Sequence, residues 1–212
     1  MGTRHIVEVI KDKKTAIRQY GQWDGDAATA AYHLRNFIKE IGAQTIRELI
    51  DLTQVQGESD RYEIAPDLCI GNAHEFHVAE SLMLRTEISE YIDRVLALGF
   101  VHTYLEPDEK IALIPAVVER FGLAEAVRHY MLTRDTGYKI LDVIGVFSCF
   151  RDVASGKVKI PVWLEDEELN PGRKIIIDLD NETFTCNYFD DVRTWSFGKL
   201  PTLAVLRKID HA

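Results

Sequence analysis

The sequence has few cysteines, no long apolar run and no leader pattern. Its three cysteines, Cys69, Cys149 and Cys186, are widely spaced and form no CxxC pair. This odd number and wide spacing argue against a disulfide framework or a zinc ribbon and are typical of a reducing cytosol. Residues Met1–Ile6 lack the apolar core of a signal peptide, and no apolar run approaches the length of about 18 residues that a membrane span needs. We therefore expect a cytoplasmic protein, with Cys149 buried inside the apolar run Val143–Phe150.

Basic charge is also scarce in the middle of the chain. Residues 51–110 hold 13 of the 34 acidic residues but only 4 of the 25 basic ones, so this segment carries the whole net charge of −9. An acidic surface repels phosphate backbones, which argues against direct binding of nucleic acid. The segment is either a solvated surface that keeps the protein soluble or a surface that binds a basic protein partner.

The usual catalytic motifs are missing. There is no GxSxG, no P-loop and no GxGxxG followed by an acid at the right distance. His74, His77 and Glu80 share one face of a predicted helix, but HEFH lacks the i, i+4 histidine pair of the zinc protease helix, so we expect exposed polar residues and no metal site. An N-terminal-nucleophile hydrolase is disfavoured because removal of Met1 exposes a glycine. No cofactor is predicted.

The N-terminal third reads as a hairpin followed by helices. Ile6–Ile10 and Thr15–Tyr20 are β-rich runs joined by a polar turn, which is typical of a β-hairpin. Asp26 is placed to cap a helix over Ala27–Ile41, which Gly42 ends. A second short helix is predicted over residues 44–52.

The rest of the chain predicts a helical middle and a C-terminal set of strands. Helical periodicity covers residues 75–98 and restarts at Pro107 and Asp108, with Pro115 either in the first turns of that helix or at a break. Further helices are predicted over 123–132 and, after a cap at Asp135, over 136–150. A strand is predicted over 158–164, where Pro161 indicates an edge strand. Strands over 174–179, 183–189 and 192–197 should form a meander, and a last short helix should begin at Pro201. We expect one α+β domain over residues 1–212, with a mainly antiparallel sheet built from the N-terminal hairpin and the C-terminal meander. The middle of the chain should be helical, and residues 51–110 should form an acidic, mostly helical, insertion-like segment within it.

The segment Gln19–Gly25, QYGQWDG, is the strongest candidate for a site. It closes the predicted hairpin and opens the first helix, a place where glycines permit unusual backbone geometry and side chains are presented at a sheet edge. An indole can stack on a planar ligand, carboxylates and amides can bind its polar edges, and an arginine can bind phosphate or carboxylate. The structural alternative is that the tryptophan covers the sheet and the acids are helix caps. The predicted ligand-binding residues are Gln19, Gln22, Trp23, Asp24, Arg134 and Asp135.

Four short blocks carry a resemblance to a known family. They are Gly2–Arg4, Gln19–Gly25, Arg134–Gly137 and Ile177–Asn181. Together they resemble a family of small uncharacterised proteins from phages, prophages, bacteria and some fungi, which begin with a GTR-like strand and carry a QYGQWDG-like block. The likeness covers roughly the first 40 and the last 80 residues. That family commonly continues with a Gly-rich tail where this chain has Asp26–Ala30, so a binding loop formed by that tail would have another shape here. Because the family is uncharacterised, the likeness implies fold and site position and not a reaction.

Two functional hypotheses follow from these patterns. The first is a cytosolic protein that binds or hydrolyses a small polar or nucleotide-like ligand near Trp23, Asp24 and Arg134. The second is a non-enzymatic, phage-type interaction or inhibitor protein that binds a basic partner through its acidic segment. Neither the enzymatic activity nor the oligomeric state follows from the sequence.

Overall fold

The computed structural model describes residues 4–21, 27–56, 87–88, 91, 107–132, 138–162, 164–165, 172–189 and 191–210. Its strands are β1 (His5–Lys11), β2 (Lys14–Gly21), β3 (Thr53–Val55), β4 (Ile160–Val162), β5 (Arg173–Asp178), β6 (Thr183–Tyr188) and β7 (Asp191–Ser196). Its α-helices are α1 (Ala27–Asp51), α2 (Pro107–Ala112), α3 (Ile114–Phe121), α4 (Leu123–Leu132), α5 (Ile140–Ser148), α6 (Arg151–Ala154) and α7 (Leu203–Asp210), and Phe197–Lys199 form a 3₁₀ turn.

Five of these strands form one mixed, mostly antiparallel sheet in the order β2-β1-β5-β6-β7. The hairpin β1–β2 and the meander β5–β6–β7 are antiparallel, whereas β1 and β5 run parallel with Val7 beside Ile175. Parallel neighbours need a long crossover between them, and the helical middle of the chain supplies it. The predicted α+β fold, with sheet strands from both ends of the chain and helices between them, is therefore confirmed.

A carboxylate ties the two halves of the sheet together at the turn of the first hairpin. Asp12 and Lys13 form that turn with φ values of 53° and 60°, the left-handed geometry that two-residue hairpin loops use. Asp180, in the turn after β5, accepts hydrogen bonds from the backbone N–H groups of Asp12 (3.0 Å) and Lys13 (2.7 Å). Arg47 of α1 pairs with the same carboxylate. Asp180 therefore links a hairpin, a turn and a helix.

Helix α1 contains the break that its sequence predicts. Gly42 has φ 77° and ψ 160°, which are not helical values, so two helices meet there at a kink. Glycine adopts a positive φ without the steric cost that a Cβ atom brings. The two segments match the predicted helices before and after this residue. The side chains at the start of α1 are small, and the buried ones are Ala27, Ala28, Ala30 and Ala31.

The core lies between one face of the sheet and the helices α1 and α5. Val7 and Val9 of β1 are fully buried on this face, as are Ile175 and Ile177 of β5. Phe147 of α5 is among the largest fully buried side chains. Burying a side chain of this size stabilises the fold by about 1.5–3 kcal/mol. Buried and partly buried residues alternate along β5, whereas β1 is buried on both of its faces from His5 to Val9.

Proline and glycine mark the boundaries of the helices that precede α5. Helix α2 begins at Pro107, as predicted, and Leu113 separates it from α3. Pro115 occupies the first turn of α3, where its missing N–H has no partner to lose. Gly122 then separates α3 from α4, also as predicted.

A two-stranded parallel sheet of β3 and β4 lies apart from the main sheet in strand pairing. Ile160 donates its N–H to Leu52, and Gln56 donates to Val162, so the ladder skips Pro161. Proline is tolerated here because its nitrogen faces away from the partner strand. The prediction of an edge strand around Pro161 is confirmed, with the strand shortened to three residues.

Two local predictions are wrong. Helix α5 begins at Ile140 rather than at residue 136, because Tyr138 and Lys139 form a 3₁₀ turn and Lys139 occupies the capping position without a side-chain cap bond. Cys149 is exposed rather than buried, because the helix ends at Ser148 and the apolar stripe ends with it. Its thiol donates weakly to the Gly145 carbonyl at 3.6 Å.

Several predictions concern residues outside the described ranges. Of the helix expected over residues 75–98, Glu87, Ile88 and Tyr91 are described, and all three are helical. The caps expected at Asp26 and Asp135 lie outside, as does most of the acidic segment 51–110. No helix among the described residues is both long enough and apolar enough to cross a membrane.

Asp180→Ala tests the tie between the sheet halves. The hydrogen bond from the Lys13 N–H is the main cause that lowers the pKa of Asp180, and the Asp12 N–H and Arg47 contribute in the same direction. A lowered folded-state pKa contributes stability above the unfolded-state value, near 3.9, that is lost as pH falls through the folded-state value. We expect the variant to have a lower free energy of unfolding at pH 7 and a smaller difference from wild type at pH 3.

Urea denaturation at both pH values measures this, with Asp152→Ala as control because Asp152 pairs with the exposed Lys157 on the surface. An Asp180→Ala deficit that stays the same at pH 3 and pH 7 would contradict the account.

Candidate functional site

Only one of the predicted ligand-binding residues lies in the described part of the chain. Gln19 belongs to β2, is 8% exposed and pairs with Val7, so it faces the core side of the sheet. Gln22, Trp23, Asp24, Arg134 and Asp135 lie outside the described residues, as do His74, His77 and Glu80. The predicted site therefore stays a prediction, and the described neighbours of its segments give the evidence that follows.

The described residues next to the two predicted segments lie close together. His5 opens β1 and pairs with Gly21, the residue that precedes Gln22. The ring of Tyr138, the residue that follows Gly137, lies 6.2 Å from the ring of His5 between centroids. The start of α5 thus packs beside the open end of the hairpin. The predicted site requires this arrangement, because it combines residues that follow β2 with residues that precede α5.

The backbone at this end is anchored by a buried tyrosine. The Tyr188 hydroxyl of β6 donates a hydrogen bond of 2.8 Å to the carbonyl of Ala27, the first residue of α1. Burial raises the pKa of Tyr188, and burial also raises the pKa of the neighbouring Cys186 thiol to about 12. Both groups therefore stay protonated at neutral pH, so Tyr188 remains a donor and Cys186 is a poor nucleophile.

Four side chains around Tyr138 form a continuous chain of hydrogen bonds, which we call the lysine–histidine cluster: Asp108, Lys139, His33 and Asp142. The Lys139 ammonium donates to Asp108 Oδ1 at 2.6 Å and lies 3.3 Å from His33 Nδ1. His33 Nε2 lies 2.7 Å from Asp142 Oδ2. The members come from α2, the turn before α5, α1 and α5, so the cluster joins three helices.

The partners of His33 determine which ring nitrogen carries the proton. An ammonium group can only donate, so Nδ1 must accept from Lys139, and a carboxylate can only accept, so Nε2–H must donate to Asp142. The assignment follows from the partners rather than from a visible hydrogen. The ring edge also contacts Tyr138 at 5.0 Å between centroids, which holds its orientation.

Exposure increases from the middle of the cluster to its ends. The Lys139 side chain is 7% exposed, those of His33 and Asp142 are 26% and 27% exposed, and that of Asp108 is 75% exposed. A buried ammonium requires compensation by partners, and Asp108 and His33 provide it. The cluster is therefore an ionic group that begins inside the protein and reaches solvent at the carboxylates.

Two hydrogen-bonding groups of the cluster remain available within the described part of the chain. Lys139 has three N–H donors and uses two, on Asp108 and His33. Asp142 uses Oδ2 on His33, which leaves Oδ1 as an acceptor. A ligand that carries both an acceptor and a donor could bind these two groups together.

The second buried ionic cluster offers less to a ligand. Glu8 Oε2 lies 3.4 Å from Arg18 Nε and 3.4 Å from Lys174 Nζ on the opposite face of the sheet, and Thr15 donates to Oε1 at 3.1 Å. Glu8 and Arg18 are cross-strand partners in the register of the hairpin. Opposite charges at such positions stabilise strand pairing, which accounts for this cluster without a ligand.

Sequence reasoning missed the lysine–histidine cluster, although two signals point to it. Asp142 interrupts an otherwise apolar helix, Ile140–Ser148, and a charge there needs a partner. Lys139 precedes it by three residues, so both are presented on one side of a helical turn. His33 lies 106 residues before Lys139, and no local pattern connects the two.

Comparison with known proteins finds no matching family model, no matching curated protein and no matching solved structure. The resemblance to the phage, prophage, bacterial and fungal family therefore stays a prediction. Among the residues that the structure describes, no group of three or more His, Cys, Asp or Glu side chains could hold a metal ion.

The hydrogen bond between His33 and Asp142 can be tested by a double-mutant cycle. Removal of both side chains should cost less than the sum of the single removals, because each single variant already breaks the contact. For a partly buried pair we expect a coupling free energy of about 1 kcal/mol. Urea denaturation of His33→Ala, Asp142→Ala and the double variant measures it.

The matched control pairs His33→Ala with Asp152→Ala, a surface carboxylate bound to Lys157. That cycle should give a coupling near zero. Equal coupling in both cycles would show that His33 and Asp142 do not interact in solution.

Proposed function

We propose that the protein binds a small polar or nucleotide-like ligand at the lysine–histidine cluster, with Trp23, Asp24 and Arg134 as further contacts. One observation carries the proposal: the chain of hydrogen bonds from Asp108 through Lys139 and His33 to Asp142. The chain ends in partly exposed groups beside the open end of the hairpin. A few polar groups that converge at one place are typical of ligand-binding sites.

The available groups define the chemistry of the ligand. Lys139 offers a charged donor, which suits a phosphate, carboxylate or carbonyl oxygen. Asp142 offers an acceptor, which suits an amine, amide or hydroxyl group. A ligand that carries both features, such as a nucleotide or an amino-acid derivative, fits this pair.

The sequence contributes the remaining parts of the proposal. Trp23 would stack on a planar portion of the ligand and Arg134 would bind an anionic group. Hydrolysis of the ligand, a cytoplasmic location and membership of the phage-related family are predictions from the sequence that accompany this function. The residues of the lysine–histidine cluster add proton donors and acceptors to the predicted site.

A thermal-shift screen against nucleotides, amino-acid derivatives and sugars tests this function. A ligand at 100 times its dissociation constant adds about 2.7 kcal/mol, which raises the melting temperature of a chain of this size by about 5–10 °C. We expect the shift caused by a bound ligand to fall sharply in Lys139→Gln, Trp23→Ala and Arg134→Ala. Lys157→Gln is the control, because that side chain is 72% exposed and lies on the surface.

The alternative function predicts a different result. If no ligand class shifts the melting temperature, the ligand-binding proposal is wrong and the acidic segment becomes the candidate surface. Neutralisation of Glu87, Glu90 and Asp93 should then weaken capture of a basic protein partner, while Trp23→Ala should behave as wild type.

A further inference from the structure

Three members of the lysine–histidine cluster have the arrangement of an activated nucleophile. The amine of Lys139 lies 3.3 Å from His33 Nδ1, and His33 Nε2 lies 2.7 Å from Asp142. Enzymes activate a nucleophile in this way, with a base within hydrogen-bond reach and a third group that orients the base. The order here is lysine, histidine and aspartate.

Lys139 differs in its surroundings from the other lysines of the described ranges that form ion pairs. Lys11 pairs with Asp51, Lys157 with Asp152 and Lys174 with Glu8, each with a carboxylate. Among the lysine contacts in the described part of the chain, an imidazole partner occurs at Lys139. An imidazole can take a proton from the ammonium, whereas a carboxylate mainly stabilises the charged form.

We propose that Lys139 is a nucleophilic lysine that forms a Schiff base with the carbonyl group of an aldehyde or keto acid. This inference rests on the proposed ligand site and names the reactive group of its substrate.

The reaction needs no oxidant and no cofactor. His33 Nδ1 takes a proton from the Lys139 ammonium, and Asp142 stabilises the resulting imidazolium through Nε2–H. The neutral amine then attacks the carbonyl carbon: a C–N bond forms, the C=O π bond breaks, and a second proton moves from nitrogen to the alkoxide oxygen to give a carbinolamine. The His33 imidazolium returns its proton to the hydroxyl group, which leaves as water while the nitrogen lone pair forms the C=N bond of a protonated Schiff base.

Asp108 opposes this reaction and controls access to the amine. Its carboxylate lies 2.6 Å from Lys139 Nζ and stabilises the charged ammonium. The Asp108 side chain is 75% exposed, so it can rotate into solvent and leave its place to a substrate. The proposal therefore predicts opposite effects for two neighbours of Lys139: removal of the Asp108 charge increases reactivity, and removal of the His33 base decreases it.

Reductive trapping measures the reactivity of each lysine directly. The protein is incubated with limiting glyoxylate, which carries an aldehyde and a carboxylate, and with cyanoborohydride, which reduces an imine to a stable amine. Peptide mass spectrometry then gives the labelling rate of each lysine. We expect Lys139 to be labelled at least tenfold faster than the 72% exposed Lys157, despite its burial.

The variants separate activation from simple accessibility. Asp108→Asn should label Lys139 faster than wild type, and His33→Gln should label it at least tenfold more slowly, while the rate at Lys157 stays constant. Lys139→Arg should remove the fast site and retain the fold, as judged by its melting temperature. If Lys139 is instead among the slowest lysines in the wild type and in Asp108→Asn, it is a buried structural ion and the proposal is wrong.

The result also separates this inference from the proposed function. If a ligand raises the melting temperature through Lys139 but Lys139 is not labelled by glyoxylate, the binding site is supported and the Schiff base is wrong. If Lys139 is labelled fast but no ligand of the screen raises the melting temperature, the nucleophilic lysine is supported and the nucleotide-like ligand is wrong.

Discussion

The parallel pairing of β1 with β5 is the contact on which the rest of the structure depends. It joins strands from opposite ends of the chain, and Asp180 strengthens the junction through backbone groups of Asp12, 168 residues earlier. The chain between them must form a crossover, and α1 and α5 pack on the sheet face that this closure creates. Once both helices lie there, His33 and Lys139 are neighbours. The site is thus a consequence of the sheet topology.

The burial of Lys139 is the feature that pure stability explains least well. An ammonium group that is 7% exposed loses most of its hydration, and partners return only part of that free energy. Apolar residues of similar volume often stabilise such a position as well or better. The contrast with Glu8 and Arg18 is informative, because their pairing lies in the register of two strands and supports the hairpin directly. The lysine–histidine cluster has no such strand register and instead joins three helices near the end of the hairpin.

Local sequence patterns predicted the strands and helices but not the tertiary contacts between them. The β-branched run Ile6–Ile10 and the turn signals of the meander predicted the strands, and Gly42 marked the kink of α1. The start of α5 was misplaced because Asp135 resembles a cap, whereas the chain makes a 3₁₀ turn through Lys139 before the helix begins. The site needed contacts between residues more than 100 positions apart, such as His33 and Asp142. A single sequence carries no signal for such pairs beyond the presence of a charge in an apolar helix.

The tautomer of His33 tests the central claim most directly, because every role assigned to the cluster depends on it. Nitrogen NMR of histidine-labelled protein distinguishes the two ring nitrogens, because a protonated and an unprotonated ring nitrogen have different chemical shifts. The account predicts that Nε2 carries the proton and donates to Asp142, while Nδ1 is unprotonated and accepts from Lys139. Replacement of Lys139 by methionine should then change the Nδ1 signal. A proton on Nδ1 in the wild type would contradict the account, because Lys139 could not then donate to it.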